Sequence, residues 1–385
     1  AAERGVRVRM LLDDVTLDSQ TRKMVFAMDQ HPNIHVRIYN PFSSSGRRVG
    51  AALTDTSRVN RRMHNKSFTV DNQYTIVGGR NIENNYFSAN TRSNYADLDI
   101  VAVGPMVKEV SDHFDIYWNS SLAVPADVFG GYESQAERLQ DLKRELSAFA
   151  ASKQDSVYAL DLKDSEMYKR LTSEIAGEST ERLYRGEAHV IYDIPEKTLG
   201  KTEFETTYMI SLMRPHVEKI KDKLELISPY FVPGVEGRER LIGMVDRGIK
   251  VRVITNSLAS TDGIMAQSGY ARHRIELLKG GVELYELKPK ARSKASRSLR
   301  RSAEAKSALH AKTYIFDRKE VYIGSFNFDP RSANINTELG VICEIPEMAN
   351  DIATALFDEN IEQATYRLEL IIEDEDVDGV IAVSY

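Results

Sequence analysis

The feature that most constrains this chain is an internal duplication, because five segments of its first part recur in the same order in its second part. The matched pairs are GVRVRMLLDD (5–14) with GIKVRVITNS (248–257), NIHVRIYNP (33–41) with GVELYELKP (281–289), HNKSFTVD (64–71) with HAKTYIFD (310–317), VGGRN (77–81) with IGSFN (323–327), and DLDIVAVGP (97–105) with ELGVICEIP (338–346). The offset between the copies is 243 residues at the first match and 246 at the third, and it stays between 241 and 248 over all five. Two homologous halves are therefore predicted.

Both halves alternate short β-branched runs with segments of helical spacing, which predicts an α/β fold. Each half is expected to be a mixed sheet flanked by helices, and the two are expected to pack about a pseudo-twofold axis with the active site between them. The predicted domains are the first half in 1–122, a partly helical insert or linker in 123–205, and the second half with an acidic C-terminal tail in 206–385. The first half lacks a counterpart of the strand and helix at 224–248, so we expect an N-terminally truncated sequence.

The insert is predicted to contain an amphipathic helix, because four apolar residues lie at helical spacing: Leu139, Leu142, Leu146 and Phe149. Packing against the two halves is the expected role of this stripe, and contact with a membrane surface is the alternative. No stretch approaches eighteen uninterrupted apolar residues, so no membrane span is predicted from the sequence.

Composition excludes several protein classes. With 42% hydrophobic and 28% charged residues, the chain is neither disordered nor collagen-like. Its one cysteine, Cys343, cannot form an internal disulfide or a zinc cluster, which favours a reducing, cytosolic compartment. The formal net charge of −6 argues against a global nucleic-acid footprint.

Two β-hairpins are predicted to carry the chemistry, one in each half. In the first, the turn near residue 72 sets residue 80 opposite His64 and residue 78 opposite Lys66, so the Gly78–Asn81 loop lies beside both side chains. In the second, Gly324–Asn327 returns beside His310 and Lys312 in the same way. The spacing H-x-K-x4-D-x6-G-[GS]-x-N occurs twice at matched positions, which chance does not explain.

Each half thus gathers an imidazole, an ammonium group and an amide against a glycine-lined backbone. Lysine and asparagine donors neutralise an oxyanion, and glycine allows close approach of the backbone. This pattern indicates phosphate chemistry without a metal cluster, and neither a cofactor nor a metal is expected.

These motifs resemble the signature of the phospholipase D superfamily, a duplicated HxKx4D. Five segments that contain or flank these motifs are more closely similar to bacterial cardiolipin synthases of the C type: RRMHNKSFTVD, SPYFVP, TNSLAS, GYARHR and IGSFNFDPRS. The resemblance spans roughly residues 5–120 and 205–345. It implies a phosphatidyltransferase that forms cardiolipin from phosphatidylglycerol and a second phospholipid through a covalent phosphohistidine. It also implies a peripheral location on the cytoplasmic side of a bacterial inner membrane.

The resemblance also implies roles for individual residues. One histidine attacks phosphorus while the other protonates the leaving alcohol and then deprotonates the incoming one. Family tendency favours His64 as the nucleophile and His310 as the acid and base, and the near symmetry of the halves leaves the reverse open. The phosphoryl oxygens are expected to contact Lys66, Lys312, Asn81, Ser325, Asn327 and the backbone at Gly79, where the first half has no serine hydroxyl.

Acidic residues are expected to orient the histidines, since a carboxylate on the far ring nitrogen sets which nitrogen carries the proton. Asp97 and Glu338 align in the repeat and are the candidates, with Asp99 as the runner-up to Asp97. The motif aspartates Asp71 and Asp317 lie at the hairpin turns, about 23 Å along an extended strand from their histidines. We list them with the catalytic motif but predict a structural role.

Residues 288–306 form a basic segment with eight Lys or Arg against one Glu. The alternatives are a solvated loop and a segment that attracts anionic lipid. The candidate membrane-binding residues are Arg292, Lys294, Arg297, Arg300 and Arg301. An anionic phospholipid membrane is the expected partner and nucleic acid is not, with the oligomeric state left open. The competing functions are a phospholipase D hydrolase, a nuclease of the superfamily and a non-catalytic membrane-binding protein.

Overall fold

The computed structural model describes residues 1–42, 60–90, 93–129, 132, 138–165, 168–169, 172–173, 176, 183–200, 206, 208–290, 306–371 and 380–384. The strands are β1 (Val8–Asp13), β2 (Ile34–Tyr39), β3 (Ser67–Val70), β4 (Tyr74–Gly78), β5 (Ser93–Ala96), β6 (Asp99–Val103), β7 (Ala123–Pro125), β8 (Glu187–Tyr192), β9 (Lys223–Ile227), β10 (Lys250–Asn256), β11 (Glu283–Leu287), β12 (Lys306–Leu309), β13 (Thr313–Phe316), β14 (Glu320–Gly324), β15 (Leu339–Glu344), β16 (Thr365–Ile371) and β17 (Val380–Ser384). The helices are α1 (Ser19–Asp29), α2 (Pro105–Trp118), α3 (Arg138–Lys153), α4 (Val157–Asp164), α5 (Met209–Glu218), α6 (Gly234–Asp246), α7 (Ile264–Ala271), α8 (Arg274–Lys279), α9 (Pro330–Asn334), α10 (Pro346–Ala353) and α11 (Ile361–Ala364).

The second half is built on a nine-stranded mixed sheet in the order β17-β16-β11-β10-β9-β13-β14-β15-β8. β9, β10 and β11 run parallel, and β13, β14 and β15 continue the sheet antiparallel. Apolar residues fill both faces of the central strands, as expected for a sheet with packing on both sides. One face packs on α5 and α6 through residues such as Met209, Leu241 and Met244.

The first half repeats this plan in two three-stranded sheets, β1-β2-β7 and β3-β4-β6. β1 and β2 pair in parallel, like their counterparts β10 and β11, and β3, β4 and β6 form the antiparallel part. α1 begins at the N-cap Asp18, whose side chain accepts from the backbone N–H of Thr21, and its face packs on the first sheet. This architecture confirms the predicted α/β fold with two related halves.

The insert contributes a strand to each half, which the sequence did not predict. β7 pairs with β2 of the first half, and β8 pairs with β15 of the second half. The predicted helix is present as α3, but only Leu142 of its apolar stripe is buried, while Leu146 is 48% and Phe149 is 62% exposed. Strands of the insert thus become edges of the two sheets, and its helix covers less of them than expected.

The two halves are joined at the centre of the molecule. β12, immediately before His310, pairs in parallel with β5 of the first half. Val77, Met106 and Val110 of the first half share a buried apolar cluster with Ile323, Leu339 and Val341 of the second. This shared core fixes one hairpin relative to the other and thereby sets the geometry between them. Among the described residues, no helix is long and apolar enough to cross a bilayer.

Candidate active site

The two catalytic motifs occupy the predicted hairpins with the predicted register. In the first half, Ser67 pairs with Val77 and Val70 with Tyr74, so residue 66 lies opposite 78. In the second, the backbone N–H of Gly324 donates to the Lys312 carbonyl at 3.3 Å. His64 and His310 each lie just before the first strand of a hairpin, at the same end of the sheets as the glycine loops.

Each histidine is anchored by its backbone to the opposite half. The His64 N–H donates to the carbonyl of Thr337 at 2.8 Å, and the His310 N–H donates to the carbonyl of Ala96 at 2.8 Å. Thr337 and Ala96 directly precede the two aligned carboxylates, Glu338 and Asp97. These two matched backbone hydrogen bonds therefore place each carboxylate beside the histidine of the other half.

The histidine–carboxylate pairs are consequently crossed between halves. His64 Nδ1 lies 2.7 Å from Glu338 Oε2, and His310 Nδ1 lies 2.7 Å from Asp97 Oδ2. Both carboxylates have completely buried side chains. When an Nδ1–H is donated to a carboxylate, Nε2 of a neutral imidazole keeps its lone pair. Asp99, the runner-up, instead binds the Arg80 guanidinium at 2.5 Å.

The matched positions 79 and 325 carry different residues, Gly79 and Ser325, because the carboxylate beside each of them, Asp97 or Glu338, lies at a different distance from the backbone. The Ser325 hydroxyl donates to Glu338 Oε2 at 2.5 Å, whereas a Cβ on Gly79 would lie only 2.8 Å from Asp97 Oδ1. Asp97 thus approaches the backbone at the place where the second half has a serine side chain. Because the Ser325 proton is committed to Glu338, a Ser325 contact with a phosphoryl oxygen stays a prediction.

Glu338 is held by further buried groups, two of which come from the insert. The Ser332 hydroxyl donates to Glu338 Oε1 at 2.7 Å, and the Glu338 N–H donates to Asp193 Oδ2 at 2.9 Å. Lys197 neutralises Asp193 at 2.9 Å and donates to the Ser332 carbonyl at 2.8 Å, and both members of this ion pair are completely buried. Sequence reasoning missed Asp193 and Lys197, because nothing in the stretch DIPEK (193–197) distinguishes a buried ion pair from exposed charges.

The two motif lysines lie beside the histidines. Lys66 donates to the His64 carbonyl at 2.8 Å, and Lys312 donates to the His310 carbonyl at 2.5 Å, which ties each ammonium group to its own histidine. Burial lowers the pKa of Lys66 to about 8 and that of Lys312 to about 7. An anionic phosphoryl group entering between them would favour their charged forms.

Burial also lowers the pKa of both histidines. For His64, the Glu338 carboxylate opposes this shift. For His310, the Lys312 ammonium group adds to it and drives the pKa well below the ordinary value. Burial raises the pKa of Asp97, whereas His64 and Lys66 outweigh burial and lower the pKa of Glu338. The two halves are therefore unequal in electrostatics despite their matched geometry.

A cluster of three tyrosines and one aspartate lies on the His310 side. The Tyr86 hydroxyl is 3.3 Å from His310 Nε2, and the Tyr95 ring lies 5.5 Å from the imidazole. Tyr95 and Tyr230 both donate to the Asp262 carboxylate, at 2.8 and 3.0 Å. Sequence reasoning missed these four residues, because the repeat has no matching signature for them. They leave the His310 side chain 7% exposed against 26% for His64.

The two asparagines occupy different environments. Asn81 donates to the Tyr86 hydroxyl at 2.9 Å. Asn327 is 5% exposed, and its Oδ1 is buried without a hydrogen-bond partner in the described part of the chain. Direct phosphate contacts of both amides stay predictions.

The motif aspartates lie at the turns. Asp71 and Asp317 both adopt left-handed backbone conformations, with φ of 53° and 52°. The Asp317 carboxylate accepts three backbone N–H groups from 221–223, at 2.8 to 2.9 Å. Although burial raises its pKa, those three N–H groups outweigh burial and lower it. These contacts fasten the hairpin turn to the loop before β9, which is a structural role.

One three-residue group of possible metal ligands occurs among the described residues: His216, Glu320 and Glu344. Spacing along the chain does not predict this group, because the three residues lie on α5, β14 and β15. His216 Nδ1 is 2.5 Å from Glu320 Oε2, so the two side chains are already within hydrogen-bond distance of each other. Glu320 lies at the opposite end of β14 from Gly324, about 13 Å from the site end of that strand. The predicted membrane-binding residues Arg292, Lys294, Arg297, Arg300 and Arg301 lie outside the described residues.

Comparison with known proteins gives consistent matches. The model of the "Cardiolipin synthase, PLD-like domain" family matches residues 1–118 and 214–360. Cardiolipin synthase C of Escherichia coli K12 is 40% identical over 95% of this chain and 75% of its own length. An uncharacterized protein of Helicobacter pylori J99 is 32% identical over 93% of this chain and 69% of its own length.

A solved structure supports the fold alone. The phosphatidylserine synthase of Haemophilus influenzae superposes with a TM-score of 0.55 at 13% identity, covering 94% of this chain and 74% of that one. The duplicated motif, the family match over both halves and the 40% identical relative lead to one conclusion. The chain belongs to the cardiolipin synthase family of phospholipase D-like enzymes.

Proposed function

We propose that this protein forms cardiolipin by transferring the phosphatidyl group of one phospholipid, phosphatidylglycerol or phosphatidylethanolamine, to the glycerol hydroxyl of phosphatidylglycerol. The observation that carries the proposal is the pair of crossed carboxylate–histidine–lysine sets. Such sets can supply a nucleophile and an acid to one phosphorus atom. The 40% identity to cardiolipin synthase C supports the choice of a lipid alcohol as acceptor.

In the first step, Nε2 of His64 attacks phosphorus and a nitrogen–phosphorus bond forms. The bond from phosphorus to the headgroup oxygen breaks, and His310 gives its Nε2 proton to that oxygen, which releases glycerol from a phosphatidylglycerol donor or ethanolamine from a phosphatidylethanolamine donor. Lys66 and Lys312 stabilise the negative charge on the phosphoryl oxygens. The charge of the bound phosphodiester also offsets the two ammonium groups, which favours the protonated form of His310.

In the second step, neutral His310 accepts the proton of the incoming lipid hydroxyl. The hydroxyl oxygen attacks phosphorus, the nitrogen–phosphorus bond breaks, and neutral His64 is restored. Protons and bonds balance over the cycle, and no cofactor enters it.

The unequal environments of the two histidines support His64 as the nucleophile. Nε2 of His310 lies 3.3 Å from the Tyr86 hydroxyl, whereas the His64 ring is the more exposed of the two. A nucleophile must approach phosphorus closely, while an acid can act on the leaving oxygen from a more enclosed position. We infer that His310 faces the side of the site where the alcohol leaves and enters.

We also infer that the protein works at the cytoplasmic face of a bacterial inner membrane.

The test is incubation of the protein with phosphatidylglycerol vesicles, with and without phosphatidylethanolamine, followed by mass spectrometry of the products. Cardiolipin with release of glycerol or ethanolamine is the expected result. Phosphatidic acid as the only product would instead assign a hydrolase. Acid quenching during turnover is expected to trap a phosphatidyl group on His64, and an adduct on His310 would reverse the two roles.

A further inference from the structure

Six exposed apolar side chains lie on segments that also carry residues bonded around the catalytic histidines. Their exposed fractions range from 47% to 92%. The six residues are Val15, Ile82, Phe87, Leu258, Ile264 and Met265. They come from both halves of the molecule, and Ile264 and Met265 lie in the first turn of α7.

Two of these six residues, Val15 and Leu258, occupy matched positions on either side of the site. Asp13 accepts from the N–H of Met63 at 2.9 Å, and Asn256 accepts from the N–H of Leu309 at 2.8 Å. Met63 and Leu309 directly precede the catalytic histidines. The loop after β1 and the loop after β10 are therefore fastened beside His64 and His310. Val15 and Leu258 each lie two residues beyond the fastening residue.

The other four residues are connected to the site through the cluster of tyrosines and Asp262 beside His310. Ile82 follows Asn81, which donates to the Tyr86 hydroxyl, and Phe87 follows Tyr86 itself. Ile264 and Met265 open α7, two and three residues after Asp262. Asp262 is linked through Tyr95 to Tyr86, whose ring centroid lies 4.7 Å from that of Tyr95. Each of these four residues is thus within three positions of a residue that is bonded at the site.

We propose that these six side chains form an apolar rim, which inserts into the boundary between lipid headgroups and acyl chains and seats the active-site mouth on the bilayer. The proposal rests on the proposed function, because a phospholipid headgroup must reach the histidines while its chains stay in the membrane. Apolar groups of interfacial proteins penetrate this boundary by about 5–10 Å. Side chains that would otherwise stay exposed to water gain favourable free energy there, and their continuity with the mouth aligns the site with the headgroup layer.

Two of the other exposed apolar surfaces supply controls, because no described residue within three positions of them is bonded at the site. Leu146 and Phe149 project from α3 of the insert. Val103 lies at the end of β6 remote from the site and is 57% exposed. If simple exposure were enough for membrane binding, these residues would contribute as much as the rim.

The test measures the partitioning of the protein onto vesicles of phosphatidylcholine with about one third phosphatidylglycerol. Leu258→Ser and Met265→Ser are each expected to weaken partitioning about tenfold, which is about 1.4 kcal/mol. The double variant is expected to lose about 100-fold if the two sites act independently. These losses should persist at about 0.5 M salt, where electrostatic attraction is largely screened. Turnover of a soluble short-chain phosphatidylglycerol should stay within about twofold, because neither residue belongs to the catalytic set.

Unchanged partitioning of the double variant would overturn the proposal, and so would a larger loss in Leu146→Ser/Phe149→Ser or Val103→Ser. A second readout uses the buried position of Cys343, which is 1% exposed. A polarity-sensitive fluorophore on Leu258→Cys should shift to the blue on vesicles, and one on Leu146→Cys should not. Rim-dependent binding without cardiolipin formation would retain this proposal and refute the proposed function.

Discussion

Replacement of Glu338 by Gln would test the crossed arrangement of the site most directly. The buried Glu338 carboxylate accepts from three side-chain donors: His64 Nδ1 at 2.7 Å, Ser325 at 2.5 Å and Ser332 at 2.7 Å. A glutamine has one acceptor oxygen and one donor amide, so at least one of the three donors must face an N–H group. The substitution keeps the shape of the side chain and removes the charge that orients His64.

The size of the effect follows from these bonds. A hydrogen bond to a charged group contributes about 1.5–3 kcal/mol. Loss of that contribution in the transition state corresponds to a fall in kcat of about 10- to 150-fold. Because Glu338 opposes the burial-induced decrease in the pKa of His64, its loss should lower that pKa further. The acid limb of the kcat/KM profile should therefore move to lower pH.

The assay compares kcat on phosphatidylglycerol vesicles across pH for the parent protein, Glu338→Gln and Ser332→Ala. Ser332→Ala removes one neutral donor to the same carboxylate and leaves its charge and its bond to His64, so a smaller fall in kcat than for Glu338→Gln is expected. Thermal unfolding of each variant controls for loss of the fold. If Glu338→Gln kept kcat within about twofold with an unshifted pH profile, Glu338 would not orient the reacting histidine.

The remaining predictions concern the lysines, the glycine loop, metals and the basic segment. Since burial lowers the pKa of Lys66 to about 8 and of Lys312 to about 7, kcat/KM should fall as pH rises through this range. Lys312→Arg should retain activity at higher pH than the parent, and a flat parent profile to about pH 9 would contradict the role of the lysines. Gly79→Ala should lower kcat about tenfold by displacing Asp97 from His310, measurable by steady-state kinetics, and parent-like activity would show that Asp97 can move without cost. Activity should survive EDTA, and its specific restoration by one transition metal would refute the metal-free mechanism. Glutamine at all five basic positions should weaken vesicle binding by up to about 1 kcal/mol per residue and flatten its salt dependence, without changing turnover of a soluble phosphodiester. The five positions are Arg292, Lys294, Arg297, Arg300 and Arg301. Equal loss on both substrates would indicate that the segment shapes the site.

The sequence alone predicts the elements that depend on local pattern. The duplicated words predict two α/β halves, and the Asp71 and Asp317 turns fix the hairpin register, because strand side chains alternate with a period of two. The spacing within each hairpin therefore brings His64 beside Lys66 and His310 beside Lys312. Those relationships lie within about twenty residues of chain and need no tertiary information.

Relationships between distant segments were decided only by the tertiary structure. Alignment of the repeat identified Asp97 and Glu338, but it could not tell that each contacts the histidine of the other half. That crossing depends on the backbone bonds from His64 to Thr337 and from His310 to Ala96. Likewise, the insert has no counterpart in the repeat, so nothing in its pattern linked Asp193 to the N–H of Glu338. The physical reason is that a pattern along the chain records which face of an element is buried, whereas the partner at that face is chosen by packing across the shared core.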